Sequence, residues 1–519
     1  MVQQPSAPNR IARRSVLSGM AAVSVVGATS LSTATTAQSA AQTVEPAGEL
    51  PLNGLAEVVV DDDGTTVYCS LNDGFGVVDA SDPSDPTVLY EERGLKHDGD
   101  GPMDHIRDVK VAGDRLAVVG PNTPTRGDTF SGFFLYDVSD PANPERVTFQ
   151  PTEHGIHNCS FDGDRLYLTG SGLPDSPVVI YDVADDDPEE LGRWAVADEG
   201  GWSDVSRNYA NCHDLYGDGD TLYVAYWDTG TWVLDVSDPA NPEPRSQIGG
   251  HDSEYLASLG RAPSAEFFEL PGNSHYVQPN DDASALFVGK EAWNRDETDI
   301  DGGPGGIELW DGDEDPALQS VLAPPEPGPE QEGGWTSHNF GVRGDRLYTS
   351  WYGGGVRVYD VSDLAAPELL GEWRAPERSV FWSAKPLSDG FVAGSYIDPR
   401  NADEAERNGD GAKLYVFPDP DGSDATAAPT MERREFPDPP SDETTTTTQP
   451  DGSATTTPST TSPDETTATT EGGGNDGTDG SDGEGDDGSD GGGQPGFGPL
   501  AALVGGGLGL WRHVRRTDE

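Results

Sequence analysis

Short apolar runs alternate with polar breaks from residue 52 to residue 418, and one phrase keeps returning. It reads Val77-Val78-Asp79-Ala80-Ser81-Asp82-Pro83, then Leu135-Tyr136-Asp137-Val138-Ser139-Asp140-Pro141 and Ile180-Tyr181-Asp182-Val183-Ala184-Asp185. It returns as Val233-Leu234-Asp235-Val236-Ser237-Asp238-Pro239 and Val358-Tyr359-Asp360-Val361-Ser362-Asp363, with weaker copies at Ile307-Glu308-Leu309-Trp310-Asp311 and Lys413-Leu414-Tyr415-Val416-Phe417. A Gly-Asp pair and a run of β-formers come before most copies, as in Gly113-Asp114-Arg115-Leu116-Ala117-Val118 and Gly163-Asp164-Arg165-Leu166-Tyr167-Leu168. Gly-Asp is a hairpin turn signal, and the alternation after it reads as a strand. Asp-Pro or Asn-Pro after the phrase makes a turn and ends strand pairing. A short outer strand follows, such as Leu369-Leu370-Gly371-Glu372-Trp373.

Four antiparallel strands per unit of about 40–65 residues is the signature of a propeller blade. The spacing predicts seven blades, at 52–92, 103–150, 154–198, 208–250, 273–323, 335–376 and 379–418, with the first and last copies degraded where the ring closes. The expected fold is all-β: a seven-bladed β-propeller of four-stranded antiparallel blades, followed by a disordered C-terminal stalk. Two β-sandwich domains are the competing all-β solution; the regularity of the repeat argues against them.

Composition changes the picture outside the repeat. Only 34% of the 519 residues are apolar, below the roughly 45–50% of an ordinary globular chain, so the whole length does not form one core. With 93 acidic and 31 basic residues the net charge is −62, which excludes nucleic acid as a default partner. Lysine occurs only five times, and acidic residues are dense inside the repeats as well as in the tail. Such self-repulsion is tolerated where salt screens it, so a salt-loving host is expected. Cys69, Cys159 and Cys212 are too few for a disulfide scaffold, and their pairing is open.

Both ends read as addresses. Residues 1–41 hold Arg13-Arg14, an apolar stretch from Val16 to Leu31 and the small residues Ala37-Gln38-Ser39-Ala40-Ala41. This resembles a cleavable twin-arginine export signal. The propeller is expected over 42–420. Residues 421–494 become Thr-rich and then Gly/Asp-rich, a composition that cannot bury a core and suits a glycosylated stalk. At 495–519 come Pro495-Gly496-Phe497, a short apolar stretch to Trp511 and Arg512-His513-Val514-Arg515-Arg516. This tail resembles the PGF-CTERM signal of archaeal surface proteins. The resemblance implies an archaeosortase-type processing enzyme as partner, removal of the apolar segment and attachment of a lipid. A short C-terminal membrane anchor is the alternative. Either reading puts the folded part on the extracellular face of the cell membrane, within or above an S-layer.

The Val-x-Asp-Val-Ser-Asp-Pro strand resembles the LVIVD repeat, a propeller family of bacterial and archaeal surface proteins. The resemblance covers about residues 52–418 and implies the fold more than an activity. In architecture the expected seven blades are also similar to the selenium-binding protein and methanethiol oxidase group, whose members hold metal through histidines near the channel.

Candidate chemistry lies at one register position. Nine residues before the Leu that follows the Gly-Asp hairpin stand His157, His213 and His338, each followed by Asn158, Asp214 or Asn339. His275 takes the same place if the turn Asn280–Ser284 is two residues longer. In the second blade the aligned residue is Arg107, followed by Asp108, with His105 two positions earlier on the same strand face. Trp382 holds the position in the seventh blade. Converging imidazoles suit Cu, Zn or Fe. The same His-Asn and His-Asp pairs also suit hydrogen-bonded ties between blades, and a polar-ligand contact is a third reading. Trp202, Trp227, Trp335, Trp351, Trp373 and Trp382 suit either a glycan-binding rim or blade packing. There is no nucleophile elbow, phosphate loop or dinucleotide fingerprint. The expected function is an exported, surface-anchored binding or interaction module with glycan or protein partners. The alternative is a metal-dependent oxidoreductase or hydrolase using the channel histidines.

Overall fold

The computed structural model describes residues 41–122, 130–260, 270–292, 304–312, 315–326, 335–397 and 411–433. The export motif Arg13-Arg14, the stalk beyond 433 and the sorting motif Pro495-Gly496-Phe497 lie outside them.

The chain forms a seven-bladed β-propeller of four-stranded antiparallel sheets. From the axis outward, blade 1 is Leu55–Val60, Thr66–Leu71, Gly74–Asp79 and Thr87–Arg93. Blade 2 runs from Asp108–Ala112 to Glu145–Pro151, blade 3 from Cys159–Asp162 to Glu189–Trp194, and blade 4 from Asp214–Asp218 to Glu243–Ile248. Blade 5 runs from Ser274–Pro279 to Ala317–Leu322 and blade 6 from Gly341–Arg343 to Glu368–Trp373. Blade 7 has Val380–Pro386 inside, then Phe391–Ile397 and Lys413–Phe417, and takes its outermost strand, Gly48–Pro51, from the start of the propeller. Gly48 pairs with Val416 and Pro51 with Lys413, so the two ends of the repeat close the ring.

The recurring phrase is a pair of Asx turns. Asp79, Asp137, Asp182, Asp235 and Asp360 end the third strands, and each accepts a hydrogen bond from the backbone N–H two residues on, at 2.9–3.0 Å. The second aspartate repeats the device: Asp82, Asp140, Asp238 and Asp363 accept from the N–H two residues on, at 3.0–3.2 Å. An Asp side chain thus mimics a turn of backbone at the point where the strand must stop. In the Gly-Asp hairpins, Gly113, Gly163, Gly219 and Gly344 all sit at φ of 51–57°, which is why glycine recurs there. The arginine after the hairpin reaches the next blade: Arg165 Nη1 donates to Val236 O at 2.9 Å, and Arg115 Nη1 donates to Val183 O.

Alternation along each strand sends successive side chains to opposite neighbours. In blade 2, Leu116 and Val118 pack with Val59, Phe75 and Val77 of blade 1. Ala117 and Val119 pack with Leu166, Leu168 and Val179 of blade 3. A buried apolar cluster of this kind lies between every pair of adjacent blades, including blades 7 and 1, where Val392 and Leu414 meet Val58 and Val67. Trp202, Trp351, Trp373 and Trp382 are buried, so these four serve packing and do not form an exposed rim. Cys69, Cys159 and Cys212 are buried free thiols, with no disulfide between them.

The packing continues past residue 420, where the sequence composition had put the start of the stalk. Thr426–Ala427 pairs with the outer strand of blade 6, and Thr430 bridges to Leu322 of blade 5. Gln42–Thr43 pairs in parallel with that same strand of blade 6. These edge pairings are made by backbone, so a small, polar sequence gives no sign of them.

Candidate functional site: a histidine row at the axis

Each inner strand begins at the axis, and the residue at its entry is set by the register of the hairpin behind it. In blade 5 the turn Asn280–Ser284 contains the extra residues, with Ala283 at φ 53°, and His275 falls into line with His157, His213 and His338. The four rings form a row through blades 3 to 6. The Nε2 atoms of His157 and His213 are 3.0 Å apart; ring centroids are 3.9 Å apart for His213 and His275, and 4.7 Å for His275 and His338. Trp382 ends the row in blade 7, 4.1 Å from the His338 ring. His105 stands apart: its side chain is 44% exposed, it lies 3.4 Å from Asp104, and it makes no ring contact with the four among the described residues.

The hydrogen bonds orient the row. Nδ1 of His213 donates to His275 O at 3.0 Å, and Nδ1 of His338 donates to Trp382 O at 2.6 Å. Each bond ties one blade to the next; it leaves Nε2 of His338 bare, while Nε2 of His213 shares a hydrogen bond with Nε2 of His157. Nε2 of His338 and both ring nitrogens of His275 are buried without a hydrogen-bond partner. Glu291, the residue after the second strand of blade 5, completes the group. Its Oε2 is 3.0 Å from Nδ1 of His275, off the line of a hydrogen bond, and its Oε1 accepts from the Tyr352 hydroxyl. One ligand atom each from His275, Glu291 and His338 lie within 4.8 Å of one another. The composition had pointed to the histidines but not to Glu291. Its signal is the buried pair Lys290-Glu291 at the end of an apolar strand, where blade 4 has Tyr226-Trp227 and blade 6 has Trp351-Tyr352.

Burial disfavours the charged form at three of the four rings. It holds His213 and His338 well below the ordinary imidazole value, and the nearby rings add to this. His157 is lowered to about 4 by burial first and by His275 next. Neutral imidazole is the form that binds a metal ion.

One residue further along the strands the character changes. Asp108 pairs with Lys110 and accepts from Cys159 N–H at 2.7 Å. Asn158 Nδ2 donates to His213 O at 2.8 Å, and Asn339 Nδ2 donates to Glu57 Oε2 at 2.8 Å. Lys385 donates to Tyr276 Oη at 2.8 Å and to Phe340 O at 2.6 Å, and lies 4.0 Å from Glu57. Burial pushes the Glu57 and Asp214 carboxyls up. It opposes the charge on Lys110 too, but Asp108, Glu57 and Asp214 together outweigh it and raise that amine. Asn158-Cys159-Ser160 matches the N-x-[ST] glycosylation pattern, but Asn158 is buried and committed here, so the pattern is hidden. Glu57, Lys110 and Lys385 were absent from the sequence-level site. Two of them come from blades 1 and 7, whose repeats are degraded.

Fold and site together define a seven-bladed β-propeller with a row of buried histidines on its axis. Within that class the chain carries LVIVD repeats, matched at residues 67–90 and 213–244, in blades 1 and 4. No curated protein matches the chain in sequence. Among solved structures, the β-propeller domain of Cps50 (Swd1) from Myceliophteria thermophila is 9% identical, with 72% of this chain and 98% of that one covered at a TM-score of 0.46. A functionally unknown protein from Desulfotomaculum acetoxidans DSM 771 is 11% identical over 61% of this chain and 84% of that one, at 0.41. A chain of the mitotic checkpoint complex is 11% identical over 78% of this chain and 100% of that one, at 0.47. At such scores these likenesses carry no functional weight.

Proposed function

We propose that this protein is a binding module whose ligand is a transition-metal ion held on the propeller axis by His275, His338 and Glu291, with His213 and His157 next in the row. The export and sorting motifs support display of this module outside the cell, anchored by its tail. The observation that carries the metal reading is the set of buried, unpartnered nitrogens on His275 and His338 beside a carboxylate. Unsatisfied buried polar atoms are costly and uncommon, and a bound ion is one of the few things that explains a cluster of them. Two histidines and a carboxylate match donor sets for Zn or Fe, and imidazoles also suit Cu. The 3.0 Å between the Nε2 atoms of His157 and His213 also equals the edge between two ligands about 2.1 Å from one ion at about 90°.

The test is elemental analysis of the full chain, produced without a metal-binding tag and purified at high salt. Near-stoichiometric Zn, Cu or Fe is expected, and its loss is expected in a His275→Ala/His338→Ala variant that keeps the β-rich circular dichroism of the parent. Folded protein that takes up none of the three after equilibration would overturn the reading. A second reading is favoured by the bonds from His213 and His338 to the next blade's carbonyls. On that reading the row is a tie between blades, and the module binds surface glycans or proteins elsewhere.

A further inference from the structure

Arg107 stands in blade 2 where blades 3, 4 and 6 carry histidines, at the residue before the inner strand Asp108–Ala112. Its backbone is pinned, since Ser70 Oγ donates to Arg107 O at 3.1 Å. Its guanidinium makes no hydrogen bond or ion pair among the described residues, although the residue is mostly buried. In a chain with three acidic residues for every basic one this is unexpected. Arg93, Arg146, Arg193 and Arg245 each hold a carboxylate at 2.7–3.2 Å. Asp108 is committed to Lys110 and the Cys159 N–H, and Oε2 of Glu57 to Asn339. Arg107 is close enough to act electrostatically on His157 and on Tyr396, and Tyr396 packs 5.2 Å from Trp382.

A guanidinium placed in the register of the histidine row without a counter-ion is free to take an anion, and its planar fork fits a carboxylate edge. Resting on the axial site proposed above, we infer that Arg107 is that site's anion-recognition group and that its ligand class is a small monocarboxylate. The fork supplies two parallel N–H donors to the carboxylate. One carboxylate matches the single positive charge of the fork, so the ligand is a monoanion.

The test is saturation-transfer NMR of sodium acetate with the full chain at high salt, metal-stripped and Zn-loaded, on the parent, Arg107→Gln and Arg107→Lys. Acetate saturation is expected with the metal-stripped parent, lost in Arg107→Gln and weakened about tenfold in Arg107→Lys, which keeps the charge without the fork. Circular dichroism of Arg107→Gln checks that it folds; should it not, Arg107→Lys carries the comparison. No saturation with the parent in either state, or saturation unchanged in both variants, would overturn the inference. So would saturation that needs Zn and ignores Arg107, because the carboxylate would then sit on the metal alone. Loss of Zn uptake with acetate binding intact would overturn the metal reading and leave the Arg107 assignment standing.

Discussion

The histidine row and the ionic layer one residue further along the strands bury titratable groups by opposite means. In the row, His157, His213 and His338 give up their proton because burial penalises the charge. The ionic layer keeps its charges and matches them, as in Lys110 with Asp108, while burial raises Glu57 and Asp214 toward the protonated form. Neutral nitrogens with nothing to bind leave a site open to a cation. Matched charges close a site off. Neighbouring positions on the same strands thus serve ligand and scaffold separately.

The largest effect is expected from breaking the matched layer. Lys110→Ala leaves Asp108 buried without its cation and should cost about 3–5 kcal/mol, read by denaturant unfolding at high salt. The Lys110→Ala/Asp108→Ala double variant should cost less than the sum of the two single changes. Equal additivity would show that the two groups do not interact.

Acid should act on the row next. The folded-state value of His157 lies below 6.5, at about 4, so between those limits the unfolded chain binds more protons. Stability is therefore full above about pH 6.5 and falls as pH drops toward 4, by about 3 kcal/mol from His157 alone. The ionic layer has the opposite sign. Carboxyls raised in the fold, as in Glu57 and Asp214, contribute most at low pH, and that contribution is lost as pH rises through their folded values. A His157→Gln variant should flatten the acid limb of the stability profile; an unchanged limb would remove His157 from the account.

His338→Ala should cost about 2 kcal/mol, through the lost bond to Trp382 O and the void beside that ring, together with the loss of bound metal. Full stability with metal lost would make His338 a ligand only. Full metal with lowered stability would make it a tie only. The smallest effect is expected at the exposed Asx turns: Ser237→Ala removes a hydroxyl donor to Asp235 but leaves the backbone donor, so the unfolding midpoint should barely move.

What was legible in the sequence follows from what repeats. The Asx-turn phrase and the Gly-Asp hairpin are local devices, so they mark the blades and the register that brings His157, His213, His275 and His338 together. Pairings that depend on distant backbone left no such mark. Gly48–Pro51 has no repeat phrase, and its place in blade 7 is set only by the open edge that Lys413–Phe417 presents. Thr426–Ala427 is invisible for the same reason. Glu291 and Lys385 are single departures from the repeat, and only their burial in the folded ring shows that they belong to the axis. His105 shares a strand parity with Arg107, but its φ of 53° breaks the extended run and parity with it.

The closing strand also fixes the order of events as the chain is made. Lys413 holds Glu49 across 364 positions, and the outer edge of the last blade waits for a segment synthesised at the very beginning. Six blades can stack in sequence as they emerge, each nucleated by local hairpins, but the ring cannot lock before its final strands exist. Until then both Gly48–Pro51 and the open edge of Lys413–Phe417 are unpaired and adhesive. The ring therefore stays open at this seam until Gly48–Pro51 has met Lys413–Phe417.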